Sequence, residues 1–120
     1  MSAIYHFSSQ IISRADGRSS VAAAAYRSAE KMIDERTDSA HDFTKKRGVF
    51  HSEIMLPVDA PAFFSDRATL WNAVEKAEKR KDAQLAREID IALPRCLTHD
   101  QKIALAKDYV QKTFVNSGMI

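Results

Sequence analysis

The chain has 120 residues, enough for one small domain or one piece of a larger one. Apolar residues make up 45%, which argues against wholesale disorder. No apolar run approaches the roughly 20 residues that a membrane span needs. The N-terminus has no basic stretch leading into an apolar core, so no secretory signal is expected. The single cysteine, Cys96, excludes a disulfide framework or a cysteine-based zinc site within the chain and fits a cytoplasmic setting. The net charge of +2 is too small to argue for nucleic acid, so any such case must rest on local clustering.

Ile4 to Ile12 read as a first strand, with β-favouring Tyr5, Phe7, Ile11 and Ile12. Asp16-Gly17 is a turn signal, and Ser19 or Ser20 can cap a helix running to about Glu35. Its apolar stripe would be Ala22, Ala25, Tyr26, Ala29, Met32 and Ile33. Arg36 to Arg47 reads as a polar connection, and Val49 to Leu56 as a second strand stopped by Pro57. Ser65 can cap a helix to about Ala83, with Leu70, Trp71, Val74 and Ala77 facing inward. Ala86 to Leu93 reads as a third strand, ended by Pro94. Thr98 and Gln101 have capping-box spacing and open a helix with Ile103, Ala106, Tyr109, Val110 and Phe114 inside. Asn116-Ser117-Gly118 stops it, and Met119-Ile120 reads as the start of a further strand. The expected order is β-α-β-α-β-α.

Strand alternation sorts the polar side chains. Arg87, Ile89, Ile91 and Leu93 share one face of the third strand, and Ala86, Glu88, Asp90 and Ala92 the other. Two carboxylates among small neighbours can meet solvent, orient a ligand histidine or act as a base. His51 and Glu53 share a face of the second strand, and His6, Ser8 and Gln10 a face of the first. With the helices on the apolar side, His6, His51, Glu53, Glu88 and Asp90 could lie on one open surface. No histidine pair has zinc-ligand spacing.

Two basic clusters stand out. Lys45-Lys46-Arg47 carries +3 in a loop, and Lys76 to Arg87 carries five basic and two acidic residues. Arg14, Arg18 and Arg27 flank the first turn and helix. Such cations grip phosphates without reading bases, or form an ordinary solvated face. Tyr26, on an alanine-rich stripe, reads first as core packing, although a tyrosine hydroxyl can also be a nucleophile.

Several linked motifs resemble one known family. Ile4-Tyr5-His6-Phe7, Ser13-Arg14-Ala15-Asp16-Gly17-Arg18-Ser19-Ser20 and Ala23-Ala24-Ala25-Tyr26-Arg27-Ser28 look like the opening of the MobA/MobL relaxases of mobilisable and conjugative plasmids, a group that includes TraA-type proteins. The likeness continues through Asp34-Glu35-Arg36, His41-Asp42-Phe43, His51 to Pro57, Leu70-Trp71-Asn72, Ala104 to Lys107 and Gly118 to Ile120. It is strongest from Val74 to Ile89 and covers essentially the whole chain.

The resemblance implies an α/β (α+β) fold, an antiparallel sheet with helices packed on one face, with residues 1–120 as the N-terminal portion of a relaxase nuclease domain. It implies a nickase that cuts one strand of DNA at an origin of transfer. Tyr26 would be the nucleophile and would become linked to the 5′ phosphate. A phenol is mostly protonated at neutral pH, so attack on an anionic phosphodiester calls for charge stabilisation. The family uses a divalent cation, Mg²⁺ or Mn²⁺, held by three histidines. His6, His41, His51 and His99 do not match those ligands, so no metal ligand and no tightly bound metal is expected in this chain. Glu88 and Asp90 would stand beside that metal site. Arg14, Arg27, Lys45, Lys46, Arg47, Lys79, Arg80 and Lys81 are the candidate DNA contacts. Accessory mobilisation and coupling proteins would be partners, without membrane. The alternative is a DNA-binding fragment without catalysis.

Overall fold

The computed structural model describes residues 6–120. Ile4 and Tyr5 of the expected first strand, and the His6 side chain, lie outside the described residues. Strand β1 (His6–Ser13) pairs antiparallel with β4 (Gln84–Ala92) in a two-stranded sheet. A second two-stranded sheet is the hairpin of β2 (Lys31–Asp34) and β3 (Ser39–Asp42). Among the described residues three α-helices complete the fold: α1 (Ser20–Ser28), α2 (Arg67–Ala77) and α3 (His99–Thr113). The result is a mixed α/β fold of antiparallel strands with helices packed around them, in a largely β-α order.

Several elements differ from expectation. The first helix ends at Ser28 because Ala29 turns left-handed (φ 57°), with its N–H bonded back to Ala25. Met32 and Ile33 therefore belong to β2, where Met32 is buried and Ile33 exposed. The stripe that reads as helical is cut, and the buried face of α1 is Ser20, Val21 and Ala25. Tyr26 turns outward, 45% exposed. The polar connection after Glu35 holds β3, whose Ser39 and Ala40 pair with Asp34 and Ile33.

No strand forms over Val49–Leu56, which runs as irregular chain. The second helix takes Asp66 as its cap, not Ser65; Asp66 accepts from the Thr69 N–H at 3.0 Å. It also stops at Ala77, which is exposed, while Asn72 and Glu75 are buried. The Thr98–Gln101 capping box is present, although α3 buries no residue completely.

Two small apolar clusters form the core. Ile12, Ala83 and Leu85 pack with Ala23, Val74 and Ala86, joining the sheet to α1 and α2. Val21, Ala25 and Met32 pack with Phe43, Ala68 and Trp71, joining α1 to the hairpin and α2.

A buried polar seam runs between these clusters. Glu75, only 2% exposed, accepts from the Ser20 N–H at 2.9 Å, the Ser20 hydroxyl at 2.7 Å and Arg14 at 3.0 Å. Arg36 adds a 3.4 Å ion pair. A carboxylate of α2 thus satisfies the Ser20 N–H at the N-terminus of α1, where the helix dipole favours negative charge. Ser19 caps the same end and donates to buried Asp34 at 2.7 Å. Asn72 accepts from the Glu35 N–H and donates to the carbonyls of Ile33 and Ala68. Among the described residues every buried side-chain polar atom except Arg14 Nε has a hydrogen-bond partner, as the desolvation cost demands. Together these bonds fix how far along the sheet α1 begins, and so where Tyr26 stands about two turns later.

Candidate functional site

The register of the sheet explains the polar face. Gln10 lies opposite Glu88 and Ser8 opposite Asp90, so these four share one side. Arg27, next to Tyr26 on α1, reaches down to that side. It donates Nη2 to Glu88 Oε1 at 2.7 Å and Nε to Oε2 at 3.1 Å, a bidentate pair, and its Nη2 lies 3.7 Å from Asp90. Gln10 donates to the same Glu88 carboxylate. The hydrogen bond from Arg27 holds the Glu88 carboxyl below the usual glutamate range, and Glu88 in turn raises Arg27.

The Tyr26 ring is held from the other side. It meets Phe43 edge-on, with centroids 5.3 Å apart. The Lys46 ammonium lies 3.7 Å from the ring centroid and donates to the Tyr26 carbonyl at 2.8 Å. That carbonyl is near the C-terminus of α1, where a cation is favoured. Arg27 stands 5.6 Å from the same ring. An exposed phenol is thus flanked by two cations, an arrangement suited to an anionic reactant.

The other candidates are distributed unevenly. Lys45 and Arg47 flank Lys46 and are exposed. Lys79, Arg80 and Lys81 are exposed after α2, and Arg80 pairs with Asp82 at 2.9 Å. Arg14 turns inward: its guanidinium donates to the carbonyls of Glu75, Glu78 and Arg80 as well as the Glu75 carboxylate, closing the C-terminal end of α2. Its Nε is buried without a hydrogen-bond partner.

The expected common surface is only partly assembled. His51 and Glu53 pair with each other at 2.7 Å, and Lys107 of α3 lies 3.3 Å from Glu53. The hydrogen bond from His51 keeps the Glu53 carboxyl below its usual range. Both line a cavity of about 930 Å³ whose walls also include Arg27 and Glu88.

Phe43 and Gln10 escaped the sequence reading as site residues. Gln10 could be found only through the strand register. Phe43 stood in a noted motif, His41-Asp42-Phe43, but nothing local tied it to Tyr26. Among the described residues no three His, Cys, Asp or Glu side chains gather to hold a metal. Glu88 and Asp90, both shared with Arg27, do not by themselves fit the oxygen-rich sphere of Mg²⁺.

Comparison with known proteins places the chain in a family. Residues 18–120 match the MobA/MobL family. The chain is 48% identical to the conjugal transfer protein TraA of Agrobacterium fabrum over 98% of its own length and 12% of that protein's. It is 52% identical to the mobilization protein MobL of Acidithiobacillus ferridurans, over 91% of this chain and 28% of that protein. A solved structure described as "Molecular Basis of Vancomycin Resistance Transfer in Staphylococcus aureus" superposes with a TM-score of 0.87 at 39% identity, covering 92% of this chain and 56% of that one. The chain belongs to the MobA/MobL family. It spans a minor part of the curated relatives it matches. Among the described residues no helix is long and apolar enough to cross a membrane.

Proposed function

We propose that this chain is the nucleophile-bearing portion of a relaxase that nicks one DNA strand at an origin of transfer. The observation that carries the reading is Tyr26: an exposed phenol on α1, with the Lys46 ammonium over its ring and Arg27 beside it. Its Oη attacks the scissile phosphorus and loses its proton. The P–O3′ bond breaks, leaving a free 3′ hydroxyl and a 5′-phosphotyrosyl link. Reversal rejoins the strand. Lys46 and Arg27 offset the phosphate charge that would otherwise repel the developing phenolate.

Arg27, Lys45, Lys46 and Arg47 lie along the approach to Tyr26 and are assigned to DNA backbone contact, with Lys79, Arg80 and Lys81 as a separate exposed patch. Arg14 contributes through the seating of α1 and α2. Glu88 and Asp90 are assigned to the surroundings of the family's metal site, Glu88 being oriented by Arg27 and Gln10 and Asp90 lying near Arg27. The family's divalent cation, Mg²⁺ or Mn²⁺, would be held in the full-length protein by histidines outside this chain. Single-stranded origin DNA, accessory mobilisation proteins and a coupling protein are the partners of this reading, in the bacterial cytoplasm.

The test mixes full-length protein with single-stranded origin DNA and Mg²⁺ or Mn²⁺, and compares native Tyr26 with Tyr26→Phe on a denaturing gel. The expected result is a covalent protein–DNA adduct that the phenylalanine variant does not form. An adduct retained by Tyr26→Phe overturns the assignment. Salt-dependent DNA binding with no adduct from the native protein supports the alternative, a DNA-binding fragment without catalysis.

A further inference from the structure

Phe50 is 77% exposed on the irregular segment after Gly48. A lone exposed phenylalanine is ordinary on a protein surface and carries nothing by itself. Its surroundings are more specific. One face of the ring rests on His99 at the start of α3, with centroids 4.5 Å apart and planes tilted by 40°. Phe50 also lines an open groove of about 440 Å³. Ser28 and Ala29, which follow Tyr26 at the end of α1, line this groove together with Lys46, Arg47 and Phe50. Lys46 therefore serves two sides: its ammonium covers the Tyr26 ring while its side chain walls the groove.

Resting on the reading of Tyr26 as the nucleophile, we propose that this groove is a subsite for one unpaired DNA nucleotide next to the scissile phosphate. Phe50 is its stacking platform, and Lys46 and Arg47 hold its phosphate. A base inside a duplex is already stacked on its neighbours, so the platform selects single strands. A phenyl ring offers no hydrogen bond, so the subsite accepts any base. His99 backs the ring and keeps it upright. The cations and the aromatic ring are each weak alone; together they match the anionic link and the flat face of one nucleotide.

The test measures equilibrium binding of full-length protein to a single-stranded origin oligonucleotide and to a series with one abasic position each. Phe50→Ala is expected to weaken binding to the intact strand about 5- to 150-fold, the range measured for base–aromatic stacking. Phe50→Trp should retain affinity. At one abasic position adjacent to the adduct site, native protein should fall to the Phe50→Ala level, and Phe50→Ala should lose nothing more. Binding by Phe50→Ala within twofold of native, or abasic losses that add to the substitution at every position, overturns the subsite. Circular dichroism of Phe50→Ala should match native, since the ring is exposed; a changed spectrum moves the comparison to Phe50→Leu, judged by the same criterion. The Tyr26→Phe adduct is read separately on the same oligonucleotides. Loss of the adduct with additive binding sinks the platform alone, whereas an adduct that survives sinks the nucleophile alone.

Discussion

Glu75→Ala should be the most damaging single change in the polar seam. Removing the carboxylate leaves the Ser20 N–H, the Ser20 hydroxyl and Arg14 without their shared acceptor, in a region where Ser20 is 1% exposed and the Arg14 side chain 10%. Each orphaned buried polar group costs about 1–3 kcal/mol, more when charged. Arg14 keeps its carbonyl acceptors, which limits the sum. Breaking a buried ion pair by deleting one partner costs about 3–5 kcal/mol, and that is the expected loss. A domain of this size has about 5–15 kcal/mol in all. With a urea slope of about 1–3 kcal/mol per molar, the unfolding midpoint should drop by about 2 M. Glu75→Gln keeps an acceptor oxygen but not the charge and should fall between. A Glu75→Ala/Arg14→Met double variant should recover part of the loss, because the stranded cation is gone. A Glu75→Ala loss under about 1 kcal/mol, or strict additivity in the double variant, refutes the reasoning that this seam seats α1.

Two further outcomes concern the site. Lys46→Met removes the cation over Tyr26 and the bond to its carbonyl, so the single-turnover rate of adduct formation should fall about 5- to 30-fold, the worth of a partly desolvated cation–π contact, with little change in thermal midpoint. An unchanged rate would separate Lys46 from the chemistry. Glu88 has a lowered folded pKa, so its pairing with Arg27 stabilises fully above the ordinary glutamate value of about 4.3 and is lost as pH falls through the lower folded value. In Arg27→Gln the acid loss attributable to this pair should disappear, giving a flatter stability–pH curve below about pH 4.5. A curve of unchanged slope would show that the pair contributes nothing to acid stability.

Local sequence was a sound guide wherever a short-range cause operates. β4 follows from alternating residues, and its Glu88/Asp90 face is the one that receives Arg27. The Thr98–Gln101 box opens α3 as expected, because both bonds are made within one turn. Ser19 caps α1 for the same reason. The strand expected over Val49–Leu56 failed because alternation alone cannot supply a pairing partner. The overlong first helix failed because Ala22, Ala25 and Ala29 keep the helical period, whereas Ala29 turns to φ 57° and Met32 joins Val21 and Ala25 from β2.

Tyr26 shows the same division. Its motif marked it by family likeness, while periodicity placed it on a buried stripe. The hairpin decided otherwise: with Met32 on β2, the packed face of α1 rotates to Val21 and Ala25, and Tyr26 points outward beneath Lys46. Family membership, the caps of α1 and α3 and the faces of β4 were determined by the residues themselves, the caps and faces because each rests on neighbours a few positions apart. The pairing of Gln10 with Glu88, the burial of Glu75 and the meeting of Tyr26, Phe43 and Lys46 join residues 17 to 78 positions apart. Such contacts exist only once the chain has packed, and tertiary structure alone decides them.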